Sequence, residues 1–419
     1  MPLLVTPYLM SKTARIFIST GEVSGDMQGA LLVEALNRHA QARGLQLEIL
    51  ALGGDRMATA GATLLGHTSA IGSIGIIESL RFVLPVLKVQ RQVKQYFKQY
   101  PPDMVVLIDY MGPNLAFCDY LSTHAPQVPV VYYIAPQEWV WGDDWFWGVK
   151  FFRSDLIVRA TQRVLAIFPE EARYFQKKGA QVTWVGHPLI DRLQTAPDRE
   201  TARAALGIPP DQIAVVLLPA SRQQEIQYLL PVICQAAQAL QNKLPKIHFW
   251  IPLSLEKYRP AIEQAIQTYE LRATVLADSS HQPQHADPRS DASTTLRAIA
   301  AADLAITKSG TVNLEIALLN VPQVVLYKVN TLTAWILNRV LKFAVPFVSP
   351  PNLVLMRQIV PEFLQEQATA ENLLQESLDL LLNPQRRQIM VENYQAMAEA
   401  LGQPGACDRA AQEILDLLP

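Results

Sequence analysis

The chain has 419 residues, half of them apolar and 18% charged, which is enough for two or three domains with large cores and too apolar for a disordered protein. Thirty-six Lys and Arg against 38 Asp and Glu leave a net charge of −2, so no global basic field draws it to nucleic acid. Cys118, Cys234 and Cys407 lie far apart with no C-x-x-C pair, which argues against a disulfide framework or a cysteine zinc site and fits a reducing, cytoplasmic compartment.

The first ten residues are apolar, but their cations, Lys12 and Arg15, follow the run, and no small-residue cleavage site is evident, so the segment does not read as a secretory signal. Arg15–Thr20 then reads as a strand and Met27–His39 as a helix. Leu47–Leu52, Met104–Ile108, Val128–Tyr133 and Leu156–Val158 continue the series of buried strands, with helical stretches such as Val83–Phe97 between them. Strands alternating with helices predict a parallel sheet covered on both faces. A second series follows Gly186-His187-Pro188, with strands expected at Ala214–Leu218, Ile247–Ile251, Ala273–Ala277, Leu304–Thr307 and Gln323–Tyr327. Ser279–Thr295, polar and holding Pro283 and Pro288, reads as a mobile surface loop. Thr331–Val348 is apolar but interrupted by Asn338, Arg339 and Lys342, too polar for a bilayer centre. A stiff crossover is expected at Pro346–Asn352, then helices to the end. The expected fold is α/β: two Rossmann-like, doubly wound lobes, 14–186 and 187–348, with a cleft between them and a C-terminal segment, 349–419, of helices crossing back to the first lobe.

In open α/β sheets ligands bind beyond the carboxyl ends of the strands. Five turns there carry unusual residues. Gly21–Asp26 (GEVSGD) has two glycines for close backbone approach, and Ser24 or Asp26 can cap the next helix. A plain capped turn explains those features, but two carboxylates and a hydroxyl exceed what a cap needs, and the dinucleotide G-x-G-x-x-G spacing is absent. Asp109, ending an apolar strand, is expected to be partly desolvated and to suit a general base; an N-cap is the plainer reading. Ser221 and Arg222 open a helix, which makes either an anion site with a two-donor guanidinium or a surface arginine beside a cap. Ser309-Gly310-Thr311 follow a strand, with Glu315 inside the next, otherwise apolar helix; the amides can hold a diphosphate while the carboxylate accepts from ribose hydroxyls. His187 is either a cleft residue or a linker histidine bonded to backbone.

Two stretches concern surfaces. Arg81–Tyr100 holds Arg81, Lys88, Arg91, Lys94 and Lys98 with no acid, and Trp145, Phe146, Trp147, Lys150, Phe151, Phe152 and Arg153 mix aromatics with cations. Either can lie on an anionic bilayer or be a core-facing segment with solvated cations. From residues alone, the chain reads as a two-lobed enzyme for a nucleotide-linked substrate.

At these turns the sequence resembles the lipid-A-disaccharide synthases, inverting glycosyltransferases of the GT-B fold. The resemblance is carried by Gly21–Asp26 (GEVSGD), Leu52–Met57 (LGGDRM), Ile74–Leu80 (IGIIESL), Asp109 with Asn114, Tyr133–Trp141 (YIAPQEWVW), Val185–Asp191 (VGHPLID), Leu218–Ile226 (LPASRQQEI), Ser309–Glu315 (SGTVNLE) and Pro350–Val354 (PPNLV), in family order. It implies that UDP-2,3-diacylglucosamine and 2,3-diacylglucosamine 1-phosphate are joined into a β-1,6-linked disaccharide with release of UDP. It implies UDP binding by Ser221, Arg222, Glu225, Ser309, Gly310, Thr311 and Glu315, acceptor binding near Glu22, Ser24, Gly25 and Asn114, and Asp109 as base. It further implies no metal or other cofactor, peripheral contact with the inner membrane leaflet, and a homodimer exchanging C-terminal segments. The chain departs from many relatives at Tyr110–Pro113, Gly142, Ala220 and Lys308, where a small residue is usual in place of the lysine. A different GT-B transferase, a UDP-sugar epimerase or a non-catalytic sugar-nucleotide-binding relative would share parts of this pattern.

Overall fold

The structure, a computed structural model, describes residues 13–68, 76–140, 154–220, 223–277, 293–329 and 347–419, except for the side chains at 22–23, 76–83, 111 and 138. The expected features at Trp145–Arg153, Gly142, Ser221, Arg222 and Pro346, and most of Ser279–Thr295 and Thr331–Val348, lie outside the described residues. Internal contacts divide the chain into two units, Met1–Pro188 with Gly402–Pro419, and Leu189–Leu401.

The first unit is built on a seven-stranded sheet: β1 (Thr13–Ser19), β2 (Gln46–Gly53), β3 (Thr63–His67), β4 (Met104–Ile108), β5 (Val130–Tyr133), β6 (Arg163–Ala166) and β7 (Val182–Trp184). The strands run parallel in the order β3-β2-β1-β4-β5-β6-β7. Their continuous apolar runs follow from burial on both faces; all five residues of β4 are buried. Helices α1 (Glu22–Ala42), α2 (Asp55–Thr59), α3 (Ile76–Gln99), α4 (Met111–His124), α5 (Ser154–Ala160) and α6 (Pro169–Lys177) accompany it. On one face Phe17 meets the rings of Phe97 and Phe117 at 4.9 and 5.6 Å, edge to face, at the centre of the core.

The second unit repeats the scheme. After α7 (Pro188–Leu193) and α8 (Arg199–Leu206) come β8 (Ile213–Leu218), α9 (Gln223–Lys243), β9 (Ile247–Pro252), α10 (Arg259–Thr268), β10 (Ala273–Leu276), α11 (Thr294–Ala301), β11 (Leu304–Lys308), α12 (Val312–Leu318) and β12 (Gln323–Tyr327). Then follow α13 (Pro350–Leu355), β13 (Glu362–Leu364), α14 (Ala370–Leu382) and α15 (Pro384–Leu401). The sheet is parallel, in the order β10-β9-β8-β11-β12-β13. The last helix, α16 (Ala406–Asp416), belongs to the first unit. It packs on α1, where Asp408 meets Arg38 and His39 at 2.8 and 2.9 Å.

Two expectations about elements are corrected. Leu156–Val158 is not a strand but part of α5, which Ser154 and Asp155 open; a three-residue apolar run has no period to separate the two. The first helix begins at Glu22 rather than Met27, so Ser24 and Asp26 lie inside it instead of capping it, and its N-cap is Gly21. Among the described residues no helix is long and apolar enough to cross a membrane.

Candidate active site

In the first sheet the strand order reverses between β1 and β4, where Ser19 pairs with Leu107, and the loops leaving these two strands meet. The ring of Tyr110 lies so close to Gly21 that a Cβ there would come within 2.4 Å of it. At Gly25 a Cβ would fall 2.0 Å from Thr20 Oγ1, which explains the second glycine of GEVSGD. Asp26 serves a neighbour: its carboxylate accepts from the Gly54, Arg56 and Met57 amides at 2.8, 3.3 and 3.2 Å, capping α2. Ser24 is half-buried, and Glu22 is placed in α1 by its backbone alone.

Asp109 ends β4 with φ 45°, and Tyr110 follows with φ 48°. The Asp109 backbone is gripped at both ends. Its N–H donates to the Ile134 carbonyl at 3.0 Å, and its carbonyl accepts from Tyr132 Oη at 2.8 Å and from Asn114 Nδ2 at 2.7 Å. The residue is exposed, which corrects the expected desolvation: the left-handed turn carries it off the strand line. Asn114 is fully buried, accepts from Ser19 Oγ at 2.7 Å, and also donates to the Ile108 carbonyl at 3.1 Å. Asn114, expected on the acceptor side, ties the ends of β1 and β4 together through its amide.

Beside this turn stands a residue that the sequence reading missed, Glu171 in the first turn of α6. It is 1% exposed and accepts from the backbone N–H of Ala135, Ile167 and Phe168. Burial, with a smaller contribution from the charge of Asp109, pushes its pKa up to about 7 against those three donors. Its signal was Pro169 at the first helical position with a glutamate two residues on, a capping pattern without a visible purpose. His187 is buried, its ring 5.3 Å from that of Phe168, and burial lowers its pKa to about 3.

In the second sheet the reversal lies between β8 and β11, where Leu218 pairs with Thr307. Glu225, in the first turn of α9, faces Lys308 at the end of β11, with Nζ 3.7 Å from Oε1 and both side chains largely buried. Lys308 Nζ lies 2.7 Å from where a Cβ on Gly310 would stand, so the glycine makes room for the ammonium. The loop is rigidly held. Ser309 Oγ donates to the Val348 carbonyl at 2.7 Å, and the Gly310 N–H to Asn313 Oδ1 at 2.8 Å. Asn313 in turn donates to the Lys308 carbonyl and to Gln323 Oε1, at 3.2 and 3.1 Å. Val348 and Ser349 are fixed by Glu362, which also accepts from Asn352 Nδ2 at 3.0 Å. PPNLV thus braces the SGT loop. Thr311 is the N-cap of α12, and Glu315 in its first turn forms an ion pair with Arg192 of α7. Arg192, Asn313 and Gln323 were also missed. Arg192 stands 123 residues from its partner and has no local cue.

Among the described residues no three His, Cys, Asp or Glu side chains group as metal ligands.

A model of the family described as lipid-A-disaccharide synthetase matches residues 16–416. The chain is 58% identical to the lipid-A-disaccharide synthase of Gloeothece citriformis (strain PCC 7424), over 96% of this chain and 99% of that one. It is 54% identical to that of Synechocystis sp. (strain ATCC 27184 / PCC 6803 / Kazusa), over 96% and 97%. Among solved structures it is similar in fold to the S. aureus MnaA–UDP co-structure, with a TM-score of 0.63 at 16% identity over 96% of this chain and 97% of that one.

Proposed function

The chain belongs to the lipid-A-disaccharide synthase family, and from that premise we propose how its residues carry out the reaction. It is a glycosyltransferase that takes a UDP-sugar donor and a lipid acceptor. UDP-2,3-diacylglucosamine and 2,3-diacylglucosamine 1-phosphate give the β-1,6-linked lipid A disaccharide 1-phosphate and UDP, with inversion.

Asp109 is the base. It accepts the proton of the acceptor 6-hydroxyl as that oxygen attacks the anomeric carbon; the bond from that carbon to the phosphate oxygen breaks, and its electron pair leaves with UDP. The observation that carries this is an exposed carboxylate on a backbone clamped at a strand-order reversal. Glu22, Ser24 and Gly25, on the adjoining loop, belong to the acceptor side of the same proposal.

The second unit holds the donor. Thr311 and Val312 supply N–H groups for phosphate, and Lys308 beside Gly310 adds a cation to that loop. Ser221 and Arg222, by their place in LPASRQQEI, contribute to the same charge. Glu225 orients Lys308. Glu315, steadied by Arg192, accepts from ribose hydroxyls. Ser309 supports the loop through Val348.

Acylated substrates reside in membranes, and α3 presents a fitting stripe. Leu84 and Leu87 are 77% and 43% exposed, and Lys88 and Arg91, also exposed, continue the same face at helical spacing. Val93 and Phe97 face the core instead. Peripheral contact with an anionic leaflet on the cytoplasmic side, and assembly as a homodimer, complete the proposal; the dimer rests on the family resemblance alone.

The test follows UDP release from UDP-2,3-diacylglucosamine in detergent, with and without 2,3-diacylglucosamine 1-phosphate. The expected result is release that requires the acceptor. Conversion of the donor alone at the same rate, as an epimerase or hydrolase would show, contradicts the reading.

A further inference from the structure

Glu171 is a buried acid faced by backbone N–H groups and by the like charge of Asp109. Its two oxygens serve different segments. Oε1 accepts from Ala135, just past β5, at 2.8 Å, and Oε2 accepts from Ile167 and Phe168, just past β6, at 2.8 and 3.3 Å. The Ile134–Ala135 peptide is thus held by its N–H. The carbonyl of that same peptide, Ile134 O, accepts the Asp109 N–H at 3.0 Å. Ile134 has φ 61°, a conformation that a β-branched residue adopts only under constraint. Two hydrogen bonds constrain it: its own N–H to the Leu165 carbonyl at 3.2 Å, and the following N–H to Glu171.

We propose that Glu171 is a positioning residue for the transfer reaction: by gripping the Ile134–Ala135 peptide, it fixes the carbonyl from which the Asp109 main chain hangs, and so the aim of the Asp109 carboxylate. The inference rests on the reading of Asp109 as base. Only a side chain with two acceptor oxygens fits the role. A glutamine would turn an NH₂ group toward one of the two loops and break that tie.

In the full-length protein, Glu171→Gln is expected to lower kcat about 10- to 100-fold, since small misplacements of a reacting group cost that much. The KM for UDP-2,3-diacylglucosamine and the affinity for UDP should stay within about twofold of wild type, because the donor loop is braced by its own contacts in the other unit. The decisive comparison is a double-mutant cycle. Added to Asp109→Asn, Glu171→Gln should change the residual turnover by less than about twofold. A folded Glu171→Gln protein with wild-type kcat, or equal losses with and without Asp109, would overturn the proposal. If Asp109→Asn alone keeps full turnover, the base assignment fails instead, a result distinct from either. Should Glu171→Gln not fold, Glu171→Asp keeps both oxygens one methylene short: a lowered kcat at unchanged UDP affinity supports the proposal, and unchanged kcat refutes it.

Discussion

Asp109, Tyr110 and Ile134 all occupy the left-handed region, each at a cost of about 1 kcal/mol or more for a residue with a side chain. What holds them is hydrogen bonding to the backbone from Asn114, Tyr132 and Glu171, so on the proposed reading of Asp109 as base its aim is set by the surrounding scaffold. Burial acts in opposite directions on the two titrating groups nearby. His187, with its pKa lowered to about 3, stays neutral in the native state, whereas in the unfolded chain it binds a proton below about 6.5. Its contribution to stability is therefore present above pH 6.5 and is lost as pH falls toward 3. Glu171, raised to about 7 from 4.5, has the reverse sign: it binds its proton more tightly in the native state than in the unfolded chain, so stability falls as pH rises through that window. The variant His187→Gln isolates the first effect. Between about pH 7 and 4 its melting temperature should fall less than that of wild type. Parallel curves would show that His187 does not titrate as its burial requires.

The strands were legible where apolar runs are buried on both faces, as in β4 and β8, because nothing interrupts the pattern. β3, with no fully buried residue, the four-residue β6 and the three-residue β7 and β13 were not, since short or half-exposed segments carry no period. The strand-end turns drew attention to Asp109 and Glu315 because acids there are costly without a use, whereas Glu225 entered only through the family resemblance. Their supports stayed hidden: Glu171 reaches backbone 36 residues away, and Gln323 works through Asn313 and Tyr394, none of which leaves a local signature. Asn114 was singled out by its spacing from Asp109, but spacing alone does not show that its amide ties β1 to β4. At this same scale α3 makes a separate prediction. Replacing Leu84 and Leu87 by serine removes exposed apolar surface without touching the core face. Sedimentation with vesicles containing anionic lipid should drop several-fold, while turnover in detergent stays near wild type. Undiminished vesicle binding would show that the stripe is not the contact.

The two units share one topology, and the proposed reading divides the chemistry between them. One presents the Asp109 carboxylate, assigned to proton transfer, on a strained, clamped turn, and the other the Ser309–Thr311 loop, assigned to the donor phosphates, braced by buried amides and a lysine–glutamate pair. A base and a donor loop carried on separate units should fail separately, which distinguishes a transferase from a sugar-nucleotide-binding relative that needs only the second. The most direct measurement is turnover of Asp109→Asn alongside its UDP affinity by calorimetry. Acceptor-dependent UDP release should fall by roughly 10²- to 10⁴-fold, the usual worth of a general base, with UDP binding unchanged. Wild-type turnover in Asp109→Asn would contradict the account at its centre.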